Sequence, residues 1–333
     1  MEKEIQVNTR SIRNSNIEIF RFVLLCCIFF WHLIVHGLGF KDIGIAPYNH
    51  NIHLSIIAAA LFCPAVNCFM FISGWFGMKF RTRKALLICG VCIITACSCF
   101  LINSVGGGNV KLHDLYRYVF PISTTVWWFM TAYMMVYLVS PFIEKGLDSL
   151  SKGTVISVMV GMGIIEFFSL PVNANLGSSF FGLLFIYILA RYMRKAEIHI
   201  SMRKALVLLA TAICLIIIVE EFINSFISKK ELMFWCLQFN NPIIIVEAVS
   251  LFYIVKDLPV RQIKWINLLL APCLCVYLVP EQILPYKKIV SVLEESTITG
   301  TLYIFLFIFG SLAFGHVAFF VSKKIMGMIP VKE

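Results

Sequence analysis

The chain has 333 residues, 60% of them hydrophobic and only 14% charged, and its mean hydropathy is +0.88. A water-soluble domain of this length cannot hide that much apolar surface, so the soluble globular classes are excluded. The net charge of +10 would suit a nucleic-acid binder, but its distribution does not. With the N-terminus inside and alternate segments assigned to each side, about three quarters of the Lys and Arg residues fall on the inner side, as the positive-inside rule requires.

A helix needs about 20 apolar residues to cross a bilayer. Ten stretches qualify as spans: 17–37, 55–78, 85–104, 124–143, 154–170, 178–193, 205–223, 235–255, 266–284 and 299–322. The fifth is short, and Pro272 and Pro280 interrupt the ninth. Trp127, Trp128 and Trp235 fall near outer ends, and Trp75 and Trp265 near inner ends, as an aromatic belt would place them. The expectation is an all-α polytopic integral membrane protein of about ten transmembrane helices, a single domain over 1–333, with both termini cytoplasmic. The N-terminal run shows no cleavage site and reads as uncleaved. The twelve cysteines lie in or beside apolar spans, which gives no disulfide framework. Cys273 and Cys275 read as small core residues, so no metal is expected. The glycines at 106–108 form a turn without the strand or Lys-Ser/Thr of a phosphate loop. No internal repeat supports an inverted-repeat transporter.

The first span carries four ionisable residues: Glu18, Arg21, His32 and His36. At about 100° per residue, Arg21 lies about 20° from His32 in projection, and Glu18 and His36 about 40° on its other side. All four form one stripe, and polar groups at membrane depth face a bundle interior or a wet cavity. Glu18 and Arg21, three residues apart, can also form an ion pair at the inner interface. A His is available near neutral pH as a proton acceptor. The rise from Arg21 to His32 is about 16 Å, comparable with an extended pantetheine arm. Arg21, Arg81, Arg83 and Lys84 lie on the inner side, where guanidinium and ammonium groups suit donor phosphates. The last three serve equally well as positive-inside anchors.

Four stretches in chain order carry a resemblance. SNIEIFR followed by WHLIVHG (15–37) resembles the first span of the membrane acyltransferase-3 family, whose signature is Arg, ten residues, then His. FMFISGWF (69–76), WWFMTAYMMVYLVSPF (127–142) and FNNPIIIVEAVSLFYIVKDL (239–258) resemble its second-span, fourth-span and late segments, the last in the small single-domain branch. The resemblance implies a multi-pass enzyme of the bacterial plasma membrane. Its activity would be O-acetyl transfer from acetyl-CoA, as donor substrate, to a hydroxyl of a cell-surface polysaccharide or its lipid-linked precursor. The implied partners are the acyl-CoA, a sugar acceptor and membrane lipid. Two departures stand out. The inner loop KFRTRKA keeps its charge without the Arg-x-x-Arg spacing of many relatives. YLVPEQ (277–282) has Pro280 where relatives carry a ninth-span His, so that role is absent or passes to Glu281.

His32 is then the expected general base. Glu18 is a carboxylate that could orient it, although some 21 Å separate the two along the helix. His36, Ser73, Trp127, Trp128 and Glu281 are the candidate acceptor-side residues. Ser73 and Asn67 can instead bond across helices, and the tryptophans can be belt residues rather than a sugar platform. Glu247 lies inside the eighth span, and Glu166 reads as an outer-interface residue. The rival classes are a transporter or flippase for a polysaccharide intermediate, since buried charges also serve proton relays, and an inactive acyltransferase-like partner in an assembly complex. Reporter fusions at Lys3 and Glu333 test the topology: both should report the cytoplasm, and a periplasmic signal at one end would make the span count odd.

Overall fold

The computed structural model describes residues 14–39, 52–106, 111–168, 178–226, 236–259, 261–283 and 286–328. Trp235, two glycines of the 106–108 turn and the fusion points Lys3 and Glu333 lie outside them. The described chain is all-α. Helices α1 (Ser15–His32), α2 (Ile52–Phe62), α3 (Ala65–Phe76), α4 (Thr82–Val105), α5 (Leu115–Val119), α6 (Trp128–Ser149) and α7 (Lys152–Phe168) lead into α8 (Phe180–Lys195) and α9 (Met202–Phe226). Then come α10 (Pro242–Lys256), α11 (Lys264–Leu269), α12 (Cys275–Ile283), α13 (Tyr286–Glu295) and α14 (Thr297–Met328). Among the described residues five helical stretches are long and apolar enough to cross a membrane: Ser15–Gly37, Ile52–Phe76, Thr82–Val105, Met202–Phe226 and Thr297–Met328. Along α7, α9 and α14 large apolar side chains such as Ile164, Ile218 and Leu306 remain exposed. A lipid-facing skirt explains that pattern, since it would be costly in water.

The helices break where the sequence supplies a reason. The second expected span splits at Cys63–Pro64, where proline lacks the N–H needed to continue the ladder. The ninth splits into α11 and α12 around Pro272, whereas Pro280 is accommodated inside α12. Carbonyls freed by a break inside an apolar region need new partners. His316 Nε2 on α14 lies 3.0 Å from the Leu269 carbonyl and meets that need by donating to it. Beside it Gly315 lets α14 approach closely, since a Cβ there would lie 2.8 Å from the Pro272 carbonyl. In the eighth expected span the chain turns at 237–241 and a helix begins at Pro242, where Asn241 caps the first turn by accepting from the Ile243 N–H.

The turn between α3 and α4 is fixed by α6 and α8. Tyr137 accepts from the Arg81 N–H at 2.9 Å and donates to the Lys79 carbonyl at 3.0 Å. Ser140 donates to the Met78 carbonyl at 3.0 Å, and Tyr187 accepts from the Met78 N–H at 3.1 Å. Tyr187 in turn donates to Glu144, which also holds Arg191 at 2.6 Å. Gly77 turns the chain at φ +75, a conformation that favours glycine. The Tyr and Ser of the fourth-span motif thus act as the clamp on the inner basic loop.

Gly74 of the second-span motif sits against α8: a Cβ would lie 2.7 Å from the Tyr187 carbonyl and 2.8 Å from Ala190 Cβ. Backbone on the facing helix cannot yield cheaply, and overpacking of this kind costs about 1–3 kcal/mol. Gly74→Val should therefore lower the melting temperature in detergent while Gly310→Val, on an open face, should not. Equal melting temperatures for the two variants would contradict the close approach of α3 and α8.

Candidate active site

Two polar centres lie along α1. The outer one is built around His32, the last residue of the unbroken α-helix, followed by a π-helical turn over Leu33–Gly37. Single π-turns relocate side chains and recur at functional sites. Here the turn brings the His36 ring to 5.6 Å from that of His32. Gly37 ends the turn against α13, where a Cβ would meet Val290 at 3.0 Å and the Tyr286 carbonyl at 3.1 Å.

Opposite His32 stands α12. His32 Nδ1 lies 2.8 Å from Glu281 Oε2, with the two side chains 14% and 27% exposed. The Tyr286 hydroxyl donates to the same carboxylate oxygen at 3.5 Å. The rings of Tyr277 and Tyr286 flank His32 at 6.2 and 5.9 Å. Three hydrogen bonds hold α12 in place: Trp127 Nε1 to the Leu278 carbonyl at 3.1 Å, Asn103 Nδ2 to the Gln282 carbonyl at 3.0 Å, and Gln282 Nε2 to the Val126 carbonyl at 3.4 Å. A carboxylate only accepts, so the imidazole carries its proton on Nδ1 when neutral and keeps the Nε2 lone pair for another group.

The inner centre is a cavity of about 200 Å³ walled by α1, α3, α4, α6 and the 271–274 turns. Glu18, Arg21, Ser73 and Lys84 line it together with Tyr133. Arg21 donates to Glu18 Oε1 at 2.9 Å. Lys84 Nζ also lies 5.4 Å from the centre of the Tyr137 ring. The start of α1 is anchored by Ser15, which bonds the N–H of Ile263, and by Asn16, which donates to the Pro259 carbonyl. Because α1 is continuous, Arg21 and His32 remain about 16 Å apart along its axis.

The structure thus joins His32, His36 and Glu281 at one end and Glu18, Arg21, Ser73 and Lys84 at the other. Several candidates stand elsewhere. Glu18 is the partner of Arg21 rather than of His32, whose Nδ1 is held by Glu281. Arg81 and Arg83 are exposed and do not line the inner cavity. Ser73 returns its hydroxyl to the Phe69 carbonyl one turn back. Trp127 is 1% exposed with its indole N–H bonded to backbone, so it offers no face to a sugar. Trp128 stacks on Phe239 with ring centres 5.8 Å apart. Glu166, expected at the outer interface, is 4% exposed and turned inward, because α8 and α10 close over that face of α7. Glu247 is fully buried, with neither carboxyl oxygen hydrogen-bonded among the described residues. Tyr277 and Tyr286 were not anticipated; the one cue was a tyrosine four residues before Glu281 on the same helical face.

No curated protein and no solved structure matches the chain. A family profile does, the acyltransferase domain of the acyltransferase 3 type, over residues 14–321. That match spans both polar centres and nearly all of the sequence: the protein belongs to the acyltransferase 3 family.

Proposed function

We propose that this family member transfers an acetyl group from acetyl-CoA, bound at the inner cavity, to a hydroxyl of a cell-surface sugar positioned at His32. The reading takes the chain as a single domain of ten spans, with both termini cytoplasmic in a bacterial plasma membrane. The breaks in the second and ninth helices are then internal to spans. The observation that carries it is the 2.8 Å contact between His32 Nδ1 and Glu281, which leaves Nε2 as the proton acceptor.

In this mechanism Nε2 takes the proton of the acceptor hydroxyl as its oxygen attacks the thioester carbonyl. Glu281 stabilises the imidazolium that forms and holds the ring in one tautomer. Collapse of the tetrahedral intermediate breaks the carbon–sulfur bond, and the departing thiolate takes the proton back from Nε2. Arg21 and Lys84 receive the donor's phosphates, and Glu18 holds the Arg21 side chain ready. Arg81 and Arg83, exposed at the mouth of the same loop, steer the anionic donor rather than grip it. The α1 rise of about 16 Å lets the extended thiol arm reach from one centre to the other.

The test is transfer from acetyl-CoA to the acceptor in nanodiscs, with melting temperature as the control for folding. His32→Gln keeps size and hydrogen bonding but cannot take the proton, and should lower turnover about 10²–10⁴-fold. It should leave the Michaelis constant for acetyl-CoA unchanged. Lys84→Ala should do the reverse, raising that constant with little change in turnover. Near-normal turnover in a stable His32→Gln protein would remove the proposed base.

A second prediction concerns the exposed pair. Arg81→Ala with Arg83→Ala should raise the Michaelis constant for acetyl-CoA at low salt and lose that effect at high ionic strength, as steering is screened. An increase that persists in high salt would instead place these side chains in direct contact with the donor.

A further inference from the structure

A further cavity lies apart from both polar centres. It has a volume of about 420 Å³ and is enclosed by α7, α8 and α10, within the range of sites that bind small amphiphiles. Its rim is formed by apolar side chains that are themselves exposed, such as Val160, Ile164 and Phe168. Its polar end is formed by Asn67, Glu166 and Asn240.

The hydrogen bonds at that end decide what it can hold. Asn67 donates through Nδ2 to the Phe239 carbonyl at 2.7 Å, and Asn240 through Nδ2 to the Glu166 carbonyl at 2.6 Å. Both amide nitrogens must point at those carbonyls, which fixes the amide orientation. Among the described residues no partner is found for the two amide oxygens or for Glu166 Oε2, and Glu166 is 4% exposed. The polar end therefore offers acceptors from three separate segments. The start of α10 offers little to an anion: Pro242 has no N–H, those of Ile243 and Ile245 are taken by Asn241, and Ile244 is fully buried. Phosphate and sulfate head groups are thereby disfavoured. An ammonium would have to sit beside the positive end of the α10 dipole, and a single point charge does not answer three dispersed acceptors. Several hydroxyls on one ring do. The ring of Phe239, backed by Trp128 at 5.8 Å, lines the same cavity and gives the flat apolar face on which the C–H side of a sugar packs.

We infer that this cavity is a binding site for an amphiphilic glycoside, with the sugar at Asn67, Glu166 and Asn240 and the apolar chain among the helices α7, α8 and α10. The inference rests on the proposed sugar acceptor for its biological meaning, and it gives that acceptor an anchorage separate from His32. The chain enters sideways over the apolar rim, and Glu166 selects against head groups that lack hydroxyl donors.

The probe is a dodecyl β-glucoside bearing a diazirine at mid-chain, applied below its micellar concentration to the full-length protein in nanodiscs and mapped by peptide mass spectrometry. Labelling should fall on α7 and α10. Dodecyl β-glucoside should compete at least roughly ten-fold better than dodecylphosphocholine or dodecylammonium, a preference worth one or two hydrogen bonds. Glu166→Leu should reduce labelling by a similar factor. Val246→Trp, a change at a rim position, should block it by filling the space. Equal competition by the three amphiphiles, preference for the ammonium, labelling elsewhere, or labelling undiminished in both variants would overturn the inference. The readout is binding, so it is independent of transfer. Loss of the His32 mechanism would leave the labelling intact, and loss of labelling would leave the His32 mechanism standing.

Discussion

The contact between His32 and Glu281 sets the requirements that much of the structure meets. An imidazole at membrane depth needs a partner that fixes its proton, and a carboxylate there is costly unless it is itself engaged. Each satisfies the other at 2.8 Å. To bring them together, a short helix must arrive at the outer turn of α1 with its acidic face inward. The break around Pro272 allows that approach, Gly315 lets α14 back it, and Trp127, Asn103 and Gln282 lock it through backbone carbonyls. The π-turn after His32 then brings the second imidazole alongside the first.

The other end of α1 follows a different logic. In the proposed reading its charges face a cytoplasmic opening that supplies water and an anionic donor that supplies counter-charge. Arg21 is held by Glu18, and Lys84 lies over the Tyr137 ring. What is rigid there is backbone: the 77–81 turn is clasped by Tyr137, Ser140 and Tyr187, and the Glu144–Arg191 pair braces the clasp. A fixed backbone frame that already positions its cationic side chains can admit a flexible phosphate-bearing ligand without a large ordering cost on the protein side.

Features confined to one element were legible in the sequence. Glu18, Arg21, His32 and His36 share a helix, so their spacing alone placed them on one stripe, and α1 is indeed continuous from Ser15 to His32. Hydropathy picked out the long apolar stretches, but it could not see the interruption at Cys63–Pro64 or the turn at 237–241 before Pro242. These depend on a proline's missing N–H rather than on polarity. Long-range pairing was less accessible. Glu281 stood out only because it follows Pro280, which occupies the position where relatives carry His, and nothing local shows that it meets a residue 249 positions earlier. Trp127 and Trp128 look identical in sequence, yet one is buried against Leu278 and the other lies on Phe239. Which face of a helix meets a neighbour is decided by packing, and the sequence of one element does not contain it. Glu166 was misplaced for the same reason.

The most direct test of the central claim is a double-mutant cycle on transfer of acetyl from acetyl-CoA to the sugar acceptor, comparing His32→Gln, Glu281→Gln and the two together. Residues that act as one catalytic unit are strongly non-additive. If Glu281 works only by orienting and stabilising His32, the double variant should be no slower than His32→Gln alone. Losses that multiply, with Glu281→Gln still costly after His32 has been replaced, would show that the two do not form the proposed base and would contradict the account.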